Sequence, residues 1–179
     1  MVATETPGEK LDMVELSDHD PRWKDMFQEE RALIDQALGP MAMSVEHVGS
    51  TSVPGIRAKP VIDILVTVRR LRLEDLERAM EGMGYVHVPI GDEERLFFRK
   101  GMPRTHHVHV VRHGGEEHRK HVLFRDRLID HPDEANEYEE LKEGLAVLHR
   151  EDRRAYCDGK DLFIAKILER ADRDRRLSS

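Results

Sequence analysis

One short run constrains this chain more than any other: "VIDILVTV", Val61 to Val68, an aliphatic and β-branched stretch between Pro60 and Arg69-Arg70. A run this brief and this apolar reads as a deeply buried strand, and it carries a single acid, Asp63. By period two, Asp63 shares a face with Val61, Leu65 and Thr67. A lone carboxylate among aliphatics costs several kcal/mol, by the order-of-magnitude price of buried charge, unless it is paired. Asp63 is therefore either a paired structural acid or what remains of a metal and phosphate site.

The residues before this strand bear on that choice. "AMSVEHVG" reads as a first strand, followed by a Ser/Thr/Pro/Gly loop over 49–60. Gly49 opens backbone angles closed to other residues, and Ser50, Thr51 and Ser52 follow with hydroxyls and amides. Such a turn, opening into one helical turn, presents donors to an anion. Pro54-Gly55 prevents a long helix there. Arg57 and Lys59 add cations, each able to hold a phosphate by a charge-assisted bond of about 1.5–3 kcal/mol. An ordinary polar loop explains the same residues equally well. His47, between Val45 and Val48, reads as a hydrogen-bonded core or rim histidine.

Partners for Asp63 are sought in the other strands. "ERLFFRK" and "HHVHVVR" form an antiparallel pair around the turn "GMPRT". His107 and His109 share one face of the latter, and Arg95 and Arg99 share one face of the former around Phe97; His106 is assigned to the turn. An acid, two imidazoles and several cations facing one cleft make a candidate metal or phosphate site, against the plainer alternative of a solvated strand face.

The remaining chain supplies helices. Asp20-Pro21 starts one, with Trp23, Phe27, Ala32 or Leu33, and Leu38 on its apolar face, ending at Gly39-Pro40. Leu73–Met83 has helical spacing, "YVHV" is a short strand, and an edge strand or an extended lead-in is expected over 11–16. Helices follow over 118–129, after Pro132, and over "KDLFIAKILERADR". The order predicts an α+β domain: a mixed β-sheet covered by helices, with a helical C-terminal third. Its expected limits are 11–172, with the sheet part at 42–112 and the C-terminal helices at 116–172, between flexible ends at 1–10 and 173–179. In the cationic run 118–125, His118, Arg119, Lys120, His121 and Arg125 read as a solvated helix face, with Arg125 the one that reaches inward.

At 179 residues with 39% apolar content, the chain is long enough for one core. A net charge of −7 argues against a nucleic-acid partner, which asks for a basic face, but leaves room for a local basic pocket. One cysteine, Cys157, forms no internal disulfide, which fits a reducing cytosol, and neither a secretory signal nor a membrane span is read. The expected location is cytoplasmic.

Four ordered motifs carry a resemblance: "HVGSTSVPGIRAKPVIDILV", "RTHHVHVV", "HRKHVLFRDRL" and "YEELKEGL". Together they resemble the GrpB (UPF0157-like) family over about residues 12–170. The resemblance implies the fold shared with polymerase-beta-like nucleotidyltransferases. Similar domains are also fused C-terminally to some dephospho-coenzyme A kinases. In that superfamily a Gly-Ser turn precedes a strand with two acids, a third acid stands on a neighbouring strand, and the carboxylates hold two magnesium ions. Carried over, Gly49 and Ser50 match the turn and Asp63 the first acid; Tyr156, Lys160 and Phe163 match the pattern near the last helix. Leu65 stands at the second acid's place, and His107 and His109 at the third's.

The candidate catalytic residues are thus Asp63, His107 and His109, which are also the candidate ligands for a divalent metal (Mg, Mn or Zn). Gly49, Ser50, Thr51, Ser52, Arg57, Lys59, Arg95 and Arg99 are the candidate phosphate contacts. Three functions follow: metal-dependent nucleotidyl or phosphoryl transfer; a non-catalytic nucleotide- or phosphate-binding or accessory module that lost its second carboxylate; or a metal-dependent hydrolase. The expected partner is a small nucleotide or phosphate compound, with no membrane.

Overall fold

A computed structural model of the chain describes residues 13–177; the N-terminal segment 1–10 and Leu11 of the expected edge strand lie outside them. Five strands form one sheet: β1 (Ala42–Val48), β2 (Ile62–Val68), β3 (Tyr85–His87), β4 (Arg95–Lys100) and β5 (His106–Arg112), in the order β1-β2-β5-β4-β3. Only the β2–β5 pairing is parallel, with Asp63 beside His107 and Leu65 beside His109. β1 and β4 flank that pair antiparallel, placing Val48 opposite Asp63 and Phe97 opposite His109. The α+β architecture with a mixed sheet is the one expected from the element order.

The helices are α1 (Arg22–Leu38), α2 (Leu73–Gly82), α3 (Glu116–Asp130), α4 (Pro132–Leu148), α5 (Arg153–Asp158) and α6 (Asp161–Leu177). Asp20 does cap α1: its Oδ1 accepts the Arg22 N–H at 2.9 Å, satisfying a donor the helix cannot use. Gly39, at φ 51°, stops the helix in a conformation that β-carbons resist. The buried face of α1 differs from expectation. Ile34 lies inward and Leu33 outward at 48% exposure, and Glu30 is buried with them. The last helix runs to Leu177, past the expected end at 172. Near the N-terminus the pairing shrinks to a single bridge, Ser17 with Ala58.

The two sheet faces are covered differently. On one, Ile62, Ile64, Val66 and Val68 of β2 join Val108 and Val110 of β5 and Phe98 of β4. They pack against Trp23, Phe27, Ile34 and Leu38 of α1 and Leu76 and Met80 of α2, with Met26 and Met83 at the margin. On the other face, apolar packing is confined to Val48, Leu65 and Val111 beneath Val122 of α3. A third cluster lies away from the sheet, where Val53 and Ile56 of the 49–60 loop meet Leu128, Ala135, Tyr138 and Ile167. The C-terminal helices therefore anchor on the loop and on α3. They leave the β2–β5–β4 face open beside Asp63.

Candidate functional site

That opening is a cavity of about 580 Å³. Its floor is sheet: Asp63, His107, His109, Arg95 and Phe97. Gly49, Ser50 and Thr51 form one wall, Glu117, Lys120 and His121 of α3 another, and Tyr138, Arg153, Tyr156, Cys157 and Lys160 of the C-terminal third close over it. A volume of this size falls within the range of about 300–1,000 Å³ typical of small-molecule sites.

Gly49 turns the chain at φ 71° directly against Asp63. A β-carbon there would stand 2.5 Å from Asp63 Oδ2, so only glycine lets the turn touch the carboxylate. The single helical turn expected after it forms as the 3-10 turn Ser50–Ser52, with Ser52 Oγ donating to the Gly49 carbonyl at 2.6 Å. Thr51 is buried, its Oγ1 2.9 Å from His47 Nε2, and His47 stacks on Phe27. His47 is thus a hydrogen-bonded rim histidine, and burial pushes its pKa down to about 4.

Asp63 is the electrostatic centre. His107 Nδ1 lies 3.0 Å from its Oδ1, and His109 Nε2 lies 3.8 Å from the same oxygen. Burial would raise this carboxyl, but the adjoining imidazoles outweigh burial and hold it well below the ordinary carboxylate range. Burial pushes His109 down to about 4 and lowers His121, whose Nδ1 donates to the Glu117 carbonyl at 2.8 Å. The rings of His109 and His121 are 5.2 Å apart, and Phe97 lies 5.1 Å from both His107 and His109.

The other expected contacts divide. Ser50, Lys59 and Arg95 reach the cavity. Arg57 does not: its guanidinium binds Glu143 at 2.7 Å, Asp18 at 3.1 Å and the Leu16 carbonyl at 3.2 Å. Its backbone is pinned as well, since Glu139 accepts its N–H and the buried Lys142 donates to its carbonyl. Ser52 faces a separate groove with His19, Phe27 and Arg125. Arg99 neighbours His107 in the sheet but is not among the cavity-lining residues. His106 belongs to β5 rather than to the turn, and it faces the opposite side, toward Glu30. Of the run on α3, Lys120 and His121 line the cavity, while Arg125 reaches inward to Glu46 at 3.1 Å and to the His47 carbonyl.

Sequence reasoning gave no site role to Arg153, nor to Glu117 of α3 or Tyr138 of α4, whose helices it did expect. For Arg153 the missing element was α5, six residues long and too short to show a period. Its signal was Asp152, whose carboxylate caps it by accepting the Ala155 N–H at 2.9 Å.

The donor set does not fit a two-magnesium centre. Leu65, at the position of a second acid, is fully buried among Val48, Val111 and Val122. One carboxylate and imidazoles are a poor match for hard ions that take several oxygens. Among the described residues, no three His, Cys, Asp or Glu side chains stand where they could share an ion. No helix among them is long and apolar enough to cross a membrane.

Comparison with known proteins agrees with this architecture. The chain is 42% identical over 167 residues to a UPF0157 protein of Pseudomonas aeruginosa, covering 89% of this chain and 68% of that one. It is 35% identical over 161 residues to the glutamate-rich protein GrpB of Alkalihalophilus pseudofirmus, covering 84% and 91%. A dephospho-CoA kinase of Mycobacterium leprae matches at 26%, over 85% of this chain but 45% of its own length. The crystal structure of the conserved protein GrpB from Enterococcus faecalis superposes with a TM-score of 0.83 at 36% identity, covering 90% of this chain and 99% of that one. The sequence model described as GrpB protein matches residues 13–170, and the chain belongs to the GrpB family.

Proposed function

We propose that the cavity binds a phosphorylated small molecule of the nucleotide class. The observation that carries this reading is charge. Five cations line the cavity (Lys59, Arg95, Lys120, Arg153 and Lys160) against three acids (Asp63, Glu117 and Asp161), in a chain whose net charge is −7. A cationic pocket in an acidic protein concentrates small anions without recruiting nucleic acid. Gly49, Ser50 and Thr51 bring the turn's backbone to the same wall. Phe97 and Phe124 add ring faces for an aromatic base.

Calorimetry tests this directly. Titrating the full chain with ATP, ADP and inorganic pyrophosphate should give a Kd of about 1 mM or tighter for at least the nucleotides. Lys160→Gln should weaken binding about tenfold, since a charge-assisted bond is worth about 1.5–3 kcal/mol. Absence of heat and of thermal stabilisation with every nucleotide and with pyrophosphate would end this reading.

Metal-dependent nucleotidyl or phosphoryl transfer is the second reading, favoured by the contact of the Gly49-Ser50 turn with Asp63. Its mark is binding that appears only with magnesium, manganese or zinc and disappears in Asp63→Ala. Equal affinity in EDTA and in metal would leave the binding module standing alone.

A further inference from the structure

Two contacts settle the chemistry of His107. Its Nδ1 faces Asp63 at 3.0 Å, and its Nε2 lies 3.3 Å from Nη2 of Arg153. A guanidinium donates and never accepts, so Nε2 is the acceptor and the ring proton sits on Nδ1, donated to Asp63. The ring is held there: its side chain is 9% exposed, it lies edge-on to Phe97, and β2 and β4 flank it with Asp63 and Arg99. Asp63 thus has a task in this site that uses no metal ion. It fixes the tautomer and so turns a lone pair toward the cavity.

A lone pair beside a phosphate site has a consequence for the ligand. Phosphate oxygens at neutral pH accept hydrogen bonds, so they cannot satisfy Nε2. Arg153 can, but a bound phosphate competes for the same guanidinium through a stronger, charge-assisted and often bidentate contact. The contact uses one of five guanidinium N–H groups and is long at 3.3 Å, so a phosphate that draws Arg153 toward itself stretches it further, and a buried acceptor left unmatched is costly. A ligand that brings a donor of its own removes that cost.

We propose that His107 is a specificity-determining acceptor for a ligand hydroxyl, with Asp63 as its positioning residue and Arg153 as the group exchanged between His107 and the phosphate. This rests on the phosphate-binding reading above and names its ligand more narrowly: a phosphate ester whose sugar keeps its hydroxyls.

The test compares ADP with 2′,3′-dideoxy-ADP by calorimetry in EDTA, on the full chain. ADP should bind about tenfold more tightly, and the difference should vanish in His107→Phe, with His107→Gln as a second variant should the first fail to fold. Nitrogen-15 spectra of the imidazoles supply an independent readout. Wild-type His107 should show the Nδ1–H tautomer, and its Nε2 resonance should move on ADP binding. Equal affinity for the two nucleotides overturns the proposal while leaving phosphate binding intact, as does an Nε2–H tautomer in the free protein. Binding of neither nucleotide overturns the phosphate reading, and the proposal falls with it.

Discussion

His106 and His107 are consecutive in β5 and look out on opposite sides of one sheet. On the first side, Glu30 is 5% exposed and its carboxylate is saturated: Tyr85 Oη donates at 2.9 Å and Lys100 Nζ at 2.9 and 3.1 Å, with His106 Nε2 4.0 Å away. On the second, Asp63 with His107, His109, Phe97 and Arg153 borders open volume, and the Asp63 side chain is 29% exposed. The casts are nearly identical: an acid, imidazoles, an aromatic and a cation. What separates them is room, since each side keeps, among the described residues, a buried imidazole nitrogen without a hydrogen-bond partner, His106 Nε2 on one and His109 Nδ1 on the other. A closed cluster under α1 fixes a helix to a sheet edge; the same kinds of group on the other face border a cavity.

The largest effect should come from breaking the closed cluster. Glu30→Ala strands Lys100 and the Tyr85 hydroxyl, and removing one partner of a buried ion pair costs about 3–5 kcal/mol. At roughly 2–4 °C per kcal/mol for a chain of this size, the melting temperature should drop by about 6–20 °C. Nucleotide affinity of the folded protein should stay within about twofold, because sites with no shared partners act additively. A loss of affinity as large as the loss of stability would mean the two faces are one functional unit.

Next in size is Gly49→Ala, the converse experiment on the open face. Here a β-carbon would meet Asp63 Oδ2 at 2.5 Å, in a backbone region at φ 71° that alanine resists at about 1–3 kcal/mol. Stability should fall by that amount, and affinity should fall at least about tenfold because the turn must back away from the carboxylate. Wild-type binding in this variant would remove the 49–52 turn from the site.

Much of this division was legible in the sequence. Period two along "HHVHVVR" put His107 and His109 on one face of their strand, and along "VIDILVTV" it put Asp63 with Leu65 and Thr67, because alternation is fixed by backbone geometry alone. The parallel register that puts Asp63 beside His107 was not fixed by it. Arg57 was misplaced for a related reason. Its partners Glu139 and Glu143 lie 82 and 86 residues away, and a cation in a phosphate-like loop looks the same whether a ligand or a distant helix claims it. Glu30 gave no sign either, since an acid on an amphipathic helix reads as solvated until Lys100 and Tyr85 are known to lie opposite it.

The smallest of these effects is a dependence on pH, and it tests whether the open face is held by neutral imidazoles. Burial lowers His109 to about 4, against about 6.5 in an unfolded chain. Between those values the unfolded chain takes up a proton that the folded chain refuses, so the stabilising difference is complete above about pH 6.5 and is lost as pH falls toward 4. Asp63 acts in the same direction but lower: its depressed carboxyl adds stability above about pH 4, which disappears on further acidification. Urea unfolding at pH 7, 6 and 5 should therefore show declining stability. His109→Phe should flatten that decline by about 1 kcal/mol per pH unit, near the limit of about 1.4 for one proton. His106, lowered by burial on the other face, offers the matched variant: His106→Phe should flatten the curve without touching nucleotide affinity. A His109→Phe curve parallel to wild type would show that His109 is as easily protonated folded as unfolded. The floor of the cavity would then carry positive charge of its own, and Arg153 and Lys160 would no longer be needed to explain why an anion enters.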